Sequence, residues 1–204
     1  MRTVLVLSPH PDDEAVGCGG ALREHAVNGD DIHVVFLTSG EAGGHGDPPD
    51  VVGPRREREA QAAGAVLGIS DVDFWRLPDG RTHATGHLAD RVTKCAIDLG
   101  ADLLYAPHRN EQHADHRVAA RLAAHVRRSL DVEVRYFEVW TPLTAMDVIV
   151  DISSHVDSKL AAIRCYESQC NVMRFDEAAL GLARWRGEMH SWPGGPYAEV
   201  FSWG

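Results

Sequence analysis

The sequence predicts an α/β fold in three layers, a mostly parallel sheet with helices on both faces. Two observations carry that expectation. Strand-like runs and helical patterns alternate five times, joined by short links, the order that builds parallel strands through right-handed crossovers. The strand runs are also apolar and β-branched without alternation, as in strands covered on both sides.

Each element follows from its local pattern. "TVLVLS" at 3–8 reads as the first strand. "EAVGCGGALREHAVNG" at 14–29 reads as a helix stopped by Gly29. "DIHVVFLTSG" at 31–40 is the second strand, and the Gly/Pro-rich "EAGGHGDPPDVVGP" at 41–54 is a long loop suited to rim a site. An Ala-rich helix at 55–68 ends at Gly68, and "VDFWRLP" at 72–78 is the third strand. A helix at 87–100, a strand at 101–108, an amphipathic helix at 113–130 and a strand at 133–142 follow. "DVIVDIS" at 147–153 adds an outer strand and residues 155–169 a further helix. No linker, low-complexity run or internal repeat interrupts the chain, so one domain over 1–204 is expected.

Composition narrows the partners. A formal net charge of -10 works against binding nucleic acid or anionic membranes. No apolar run reaches membrane-spanning length, and "MRTVLVLSPHPDDE" runs into a charged turn where a signal peptide needs a cleavage site. Cys18, Cys95, Cys165 and Cys170 form no CxxC pair, so free thiols in a reducing cytoplasm are expected. Among the twelve histidines, His25, His33 and His125 fall inside regular elements and are read as incidental. The segment 185–204 carries three of the five tryptophans and is read as a tail packed on the core; Trp192 is a candidate for ligand stacking or a subunit contact, and homo-oligomerisation stays open.

In open α/β sheets ligands gather beyond the carboxyl ends of the strands. Four unusual stretches fall there: "PHPDDE" at 9–14, "TSGEAGGHG" at 38–46, "LPDGR" at 77–81 and "PHRNEQHADH" at 107–116. His10, Asp12 and Asp13 crowd the first, while His113 and His116 share a helix face in the last. Two histidines and one carboxylate around an open position make a catalytic zinc arrangement, leaving the second carboxylate free as a base. The plainer alternative keeps Asp12 and Asp13 as a helix cap and the histidines as solvent-facing residues. "GCGG" lacks the spacing of a dinucleotide loop, and the neighbouring carboxylates would repel a pyrophosphate.

"PHPDDEAVGCGG" followed a hundred residues later by "HADH" resembles the PIG-L/LmbE-like zinc-dependent N-deacetylases. "LTSGE" (37–41), "RERE" and "LG" (56–59, 67–68), "LPDG" (77–80), "YESQ" (166–169) and "YAEVF" (197–201) extend the likeness in order. The resemblance implies a Rossmann-like fold and Zn²⁺ held by His10, Asp13 and His116. It implies Asp12 as general base, His113 as oxyanion stabiliser and acid, Asp115 as the group tuning His113, and Arg56 and Asp79 as partners of sugar hydroxyls. Against that, Arg56 reads equally as a helix-start residue paired with Glu57 or Glu59, and Asp79 as an Asp-Gly turn. The ligand set also suits iron or cobalt. The substrate implied is a small N-acyl compound, an N-acetylglucosamine derivative first, with a non-sugar N-acyl amine such as a thiol conjugate or antibiotic precursor as the alternative. A non-catalytic binding module would lack a base, and Asp12 supplies one.

Overall fold

A computed structural model, describing residues 1–191 and 194–203, shows the layered architecture. Strands β1 (Thr3–Ser8), β2 (Asp31–Phe36), β3 (Asp71–Phe74), β4 (Leu103–Pro107) and β5 (Glu133–Phe137) form a parallel sheet in the order β3-β2-β1-β4-β5. The unalternating strands explain the layering. Val4 and Val6 face one apolar cluster, Leu5 and Leu7 the other, and all four are fully buried.

On the first face lie α1 (Asp13–Val27), α2 (Pro49–Leu67), α5 (Val156–Cys165) and, further along, α7 (Phe175–His190). On the second lie α3 (Gly86–Leu99) and α4 (Ala114–Ser129), whose Val92 and Leu122 meet Leu5 and Leu104 in one cluster. A short α6 (Glu167–Cys170) links α5 to α7. No helix among the described residues is long and apolar enough to cross a membrane.

Several boundaries differ from the sequence reading. The segment 41–54 is a loop only to Pro48, because α2 begins at Pro49. Proline suits a first helical turn, where its missing N–H has no partner to lose, and Pro54 is carried inside the helix. The expected outer strand does not join the main sheet. β6 (Val148–Asp151) pairs antiparallel with β7 (Ala198–Phe201), and a Tyr136–Ser202 bridge ties this ribbon to β5. Neither α7 nor β7 was assigned from sequence. Two glycines blur α7, and one is required: a Cβ on Gly187 would stand 2.2 Å from the Pro196 carbonyl oxygen. Trp192 lies outside the described residues.

The "GCGG" stretch is a packing device. A Cβ on Gly17 would come within 2.2 Å of the Phe137 ring, and one on Gly20 within 2.6 Å of Ile152. Between them α1 breaks at Cys18, with φ −143° and ψ 16°. The backbone groups freed there are claimed by a buried ion pair. Lys159 Nζ donates to the Val16 carbonyl at 2.6 Å, and Glu199 accepts from Gly20 N–H at 2.9 Å and Ala21 N–H at 2.8 Å.

Candidate metal centre and active site

β1 ends at Ser8, and the chain turns through Pro9–Asp12 before α1 begins. Thr38, just past β2, fixes the turn by donating its backbone N–H (3.0 Å) and hydroxyl (3.1 Å) to the Pro9 carbonyl. Asp12 then adopts φ 126°, a region side chains avoid at a cost of about 1–3 kcal/mol. Its carboxylate caps nothing. It accepts instead from Arg56 Nη2 at 3.0 Å, so the helix-cap alternative fails for Asp12.

Asp13 Oδ2 accepts from the His10 backbone N–H at 3.0 Å and lies 3.1 Å from both His10 Nδ1 and His116 Nε2. His116, in the first turn of α4, is fully enclosed, and neither ring nitrogen satisfies a hydrogen bond. A buried polar atom left so costs about 1–3 kcal/mol. Imidazole nitrogens aimed at a carboxylate oxygen and otherwise unsatisfied fit ligands of a cation. Among the described residues two groups of three ligand atoms lie within 4.8 Å of one another, His10, His113 and His116, and His10, Asp79 and Asp115; Asp13 belongs to neither and meets His10 and His116 through its Oδ2. The rings of His10, His113 and His116 are 4.7–5.4 Å apart. His10, Asp12, Asp13 and His113 line one pocket, with His116 and Asp115 directly behind them against Asp13 and His10.

Charge is divided unequally between the adjacent aspartates. Burial pushes the Asp12 carboxyl up to about 7, against the opposing pull of Arg56. Burial acts upward on Asp13 too, but His116 and His10 outweigh it and hold Asp13 well below the usual carboxylate range. Burial lowers His10, yet Asp115, Asp13 and Asp79 outweigh that and raise it. Three carboxylates around one imidazole are a set that suits a cation. Burial takes Glu14 up to about 8, although the Tyr166 hydroxyl of "YESQ" donates to it.

The remaining expected residues are present with altered contacts. Asp115 is fully buried and accepts from Gly80 N–H at 2.7 Å, with His10 Nε2 3.3 Å away. It reaches His113 through its backbone, donating N–H to His113 Nδ1 at 3.3 Å; a neutral His113 then carries its proton on Nε2. Burial lowers the His113 pKa, helped by His10 and His116. Arg56, only 4% exposed, donates to the Gly40 carbonyl at 2.8 Å and to that of Pro11 at 2.5 Å besides Asp12. It does not pair with Glu57, which serves Ser39 and Arg76, or with Glu59, which serves Ser168. Asp79 lies 3.1 Å from His10 Nε2 and accepts from Ala42 N–H at 3.0 Å.

Sequence reasoning passed over Glu111. Its buried carboxylate accepts from the N–H groups of Val139 (2.7 Å) and Trp140 (3.1 Å) and lies 3.8 Å from His116 Nδ1. An acid inside the histidine-rich "PHRNEQHADH" was the available signal. Glu41 accepts from Asp79 N–H at 2.8 Å. The pocket over these groups encloses about 310 Å³, and His45, Trp140, Gln169 and Phe175 complete its wall.

A family model described as GlcNAc-PI de-N-acetylase, PIG-L, matches residues 5–127. A 1D-myo-inositol 2-acetamido-2-deoxy-alpha-D-glucopyranoside deacetylase of Kineococcus radiotolerans is 35% identical over 86 residues, 39% of this chain and 24% of that protein. A probable N-acetyl-alpha-D-glucosaminyl L-malate deacetylase 2 of Bacillus anthracis is 30% identical over 135 residues, 60% of each chain. The match thus spans less than two thirds of either relative. Among solved structures, the conserved protein TT1542 of Thermus thermophilus superposes with a TM-score of 0.87 at 29% identity, covering 99% of this chain and 94% of that one. The 4-carboxy-2-hydroxymuconate hydratase of Pseudomonas putida KT2440 gives 0.85 at 26% identity, covering 99% and 95%. The stretch matched by the family model runs from the first strand into α4 and takes in both motifs of the site, and the chain belongs to the PIG-L family.

Proposed function

We propose that this protein is a metal-dependent hydrolase removing an N-acyl group, in the first instance acetyl, from an amino sugar such as an N-acetylglucosamine derivative. The observation that carries the reading is Asp13 Oδ2 at 3.1 Å from both His10 and His116, with the carboxylate of Asp12 next to it in the chain. His10, Asp13 and His116 would hold the ion, Zn²⁺ by ligand type, though iron or cobalt suits the same donors. Such an ion supplies Lewis acidity, making water a nucleophile near neutral pH and polarising a carbonyl.

The chain's own residues do the rest. Asp12, buried and raised towards neutrality, takes the proton as water attacks the amide carbon. His113 donates its Nε2–H as a hydrogen bond to the carbonyl oxygen as charge develops there, and the proton taken up by Asp12 passes to the departing amine as the C–N bond breaks. Asp115 holds that tautomer through its backbone N–H. The bonds of Arg56 and Asp79 to the framework give them a second task beside the sugar contact expected from sequence. Arg56 holds Asp12, and Asp79 holds His10. Contacts to sugar hydroxyls then draw on His45 and Gln169 of the pocket wall as well. The spacing of the cysteines in the sequence supports a reducing, cytoplasmic setting.

The engagement of Arg56 and Asp79, facing an apolar wall of Trp140 and Phe175, favours as a second reading an amidase for non-sugar N-acyl compounds. The test is to strip the protein with a chelator, restore zinc, iron or cobalt, and follow amine release from N-acetyl sugars and N-acyl amino thiols. An unsaturated hydroxy-tricarboxylate, the class named for the Pseudomonas putida hydratase, serves as the hydration control. Metal-restored release from a sugar is the expected result. Release from the thiols alone selects the second reading, and hydration without amine release removes both.

A further inference from the structure

A second cavity, of about 260 Å³, adjoins the catalytic pocket and shares three wall residues with it, Trp140, Met173 and Phe175. Trp140 and Phe175 meet edge to face at 5.6 Å in this shared wall. Beyond it the lining is apolar, from Val16, Val139, Leu182 and Val200. The ionic groups on its wall are already paired, Lys159 with Glu199 and Glu138 with Arg186. The space therefore offers no free charge to a polar ligand. At the shared edge Val172 and Met173 stand 53% and 45% exposed, apolar side chains left to water beside a reaction centre.

Position across the sheet says which end of a substrate belongs there. The candidate metal ligands lie at the ends of the neighbouring strands β1 and β4. Loops after β2 and β3 bring the polar side of the pocket, His45, Asp79 and Gly80, while the loop after β5 brings Trp140. An amide lying over the centre has its amine on one side and its acyl carbon on the other. Resting on the amino-sugar reading above, the sugar takes the polar side and the acyl group faces the apolar cavity.

We propose that this cavity is an acyl subsite and that the preferred substrates carry a linear N-acyl chain longer than acetyl. The reaction is the same hydrolysis: the oxygen of water bonds to the acyl carbon, the C–N bond breaks, and a proton passes to the amine. A medium-chain carboxylate and a free amino sugar leave. With ~30 Å³ for a water-sized group, the cavity takes a chain of roughly six to eight carbons.

The experiment compares N-acetyl-, N-butanoyl-, N-hexanoyl- and N-octanoyl-glucosamine on the metal-loaded protein. kcat/KM is expected to rise with length by up to about fourfold per CH₂, the equivalent of ~0.8 kcal/mol for its burial. Leu182→Trp, which narrows the cavity, should lower the octanoyl-to-acetyl ratio at least about tenfold, whereas Leu182→Ala should not lower it. Ala179→Leu, on the same helix, replaces Leu182→Trp if that variant does not fold. A flat series, or a ratio unmoved by the narrowing variant, overturns the subsite. A gain seen instead with an octyl glycoside of N-acetylglucosamine, and lost in Leu182→Trp, overturns the acyl assignment by placing the chain on the amine side. Hydrolysis of the acetyl compound with a flat acyl series sinks only the subsite. No amine from any compound sinks the hydrolase reading as well.

Discussion

Asp12 joins three unusual conditions at one residue: a left-handed backbone, a largely buried carboxylate and a guanidinium partner. Backbone strain of that kind persists only where the surroundings over-determine it, and Arg56 does so by tying Asp12, Pro11 and Gly40 together. Asp12→Asn should keep metal, since His10, Asp13 and His116 are untouched, while kcat falls about 10²- to 10⁴-fold, the usual contribution of a general base. Near-normal kcat would remove Asp12 from that role. Arg56→Met should lower kcat by the same factor for sugar and non-sugar amides, with KM little changed. A loss confined to sugars, and carried in KM, would return Arg56 to hydroxyl binding alone. The metal and base candidates were legible in the sequence because they sit in two short motifs. The second task of Arg56 was not, since its partners Pro11, Asp12 and Gly40 are remote in sequence and meet it only in the fold.

At the level of the elements, α1 is the critical one, because its first turn carries Asp13 and Glu14 while its body is broken at Cys18. Lys159 and Glu199 satisfy the groups freed by that break from inside the core. Removing one partner of a buried ion pair costs about 3–5 kcal/mol, so Glu199→Ala should lower unfolding free energy by that order in denaturant titration. Adding Lys159→Met should recover part of the loss. A cost below about 1 kcal/mol, the size of an exposed pair, would show that the pair does not hold the break. Gly17→Ala should cost about 1–3 kcal/mol through overpacking against Phe137. The five parallel strands and five of the helices were readable from periodicity. The β6–β7 ribbon was not, because its partners are some fifty residues apart in sequence and pairing at that distance leaves no local pattern.

Over the whole molecule, polarity changes across the sheet: the loops after β2 and β3 bring His45 and Asp79 to the pocket, the ends of β1 and β4 bring the other histidines and aspartates, and the loop after β5 brings Trp140. That the site lies beyond the carboxyl ends of the strands follows from the topology and was expected from it. Stability against acid also belongs to this scale. The His25 hydrogen bond holds Asp30 below its ordinary value, and Arg76 does the same for Glu57. A carboxyl depressed in the folded state contributes fully above its unfolded value of about 4, and the contribution disappears as pH falls through the folded one. Melting temperature of the metal-stripped protein should therefore drop below about pH 4, and Asp30→Asn should flatten that limb. An unchanged slope would remove the Asp30–His25 pair as a contributor.

The central claim is that His10, Asp13 and His116 hold one divalent ion. Calorimetric titration of the metal-stripped protein with zinc tests it directly. The wild type and Asp12→Asn should each bind one ion per chain, while Asp13→Asn and His116→Gln, folded by melting temperature, should lose that binding. Unaltered zinc binding in folded His116→Gln would contradict the account.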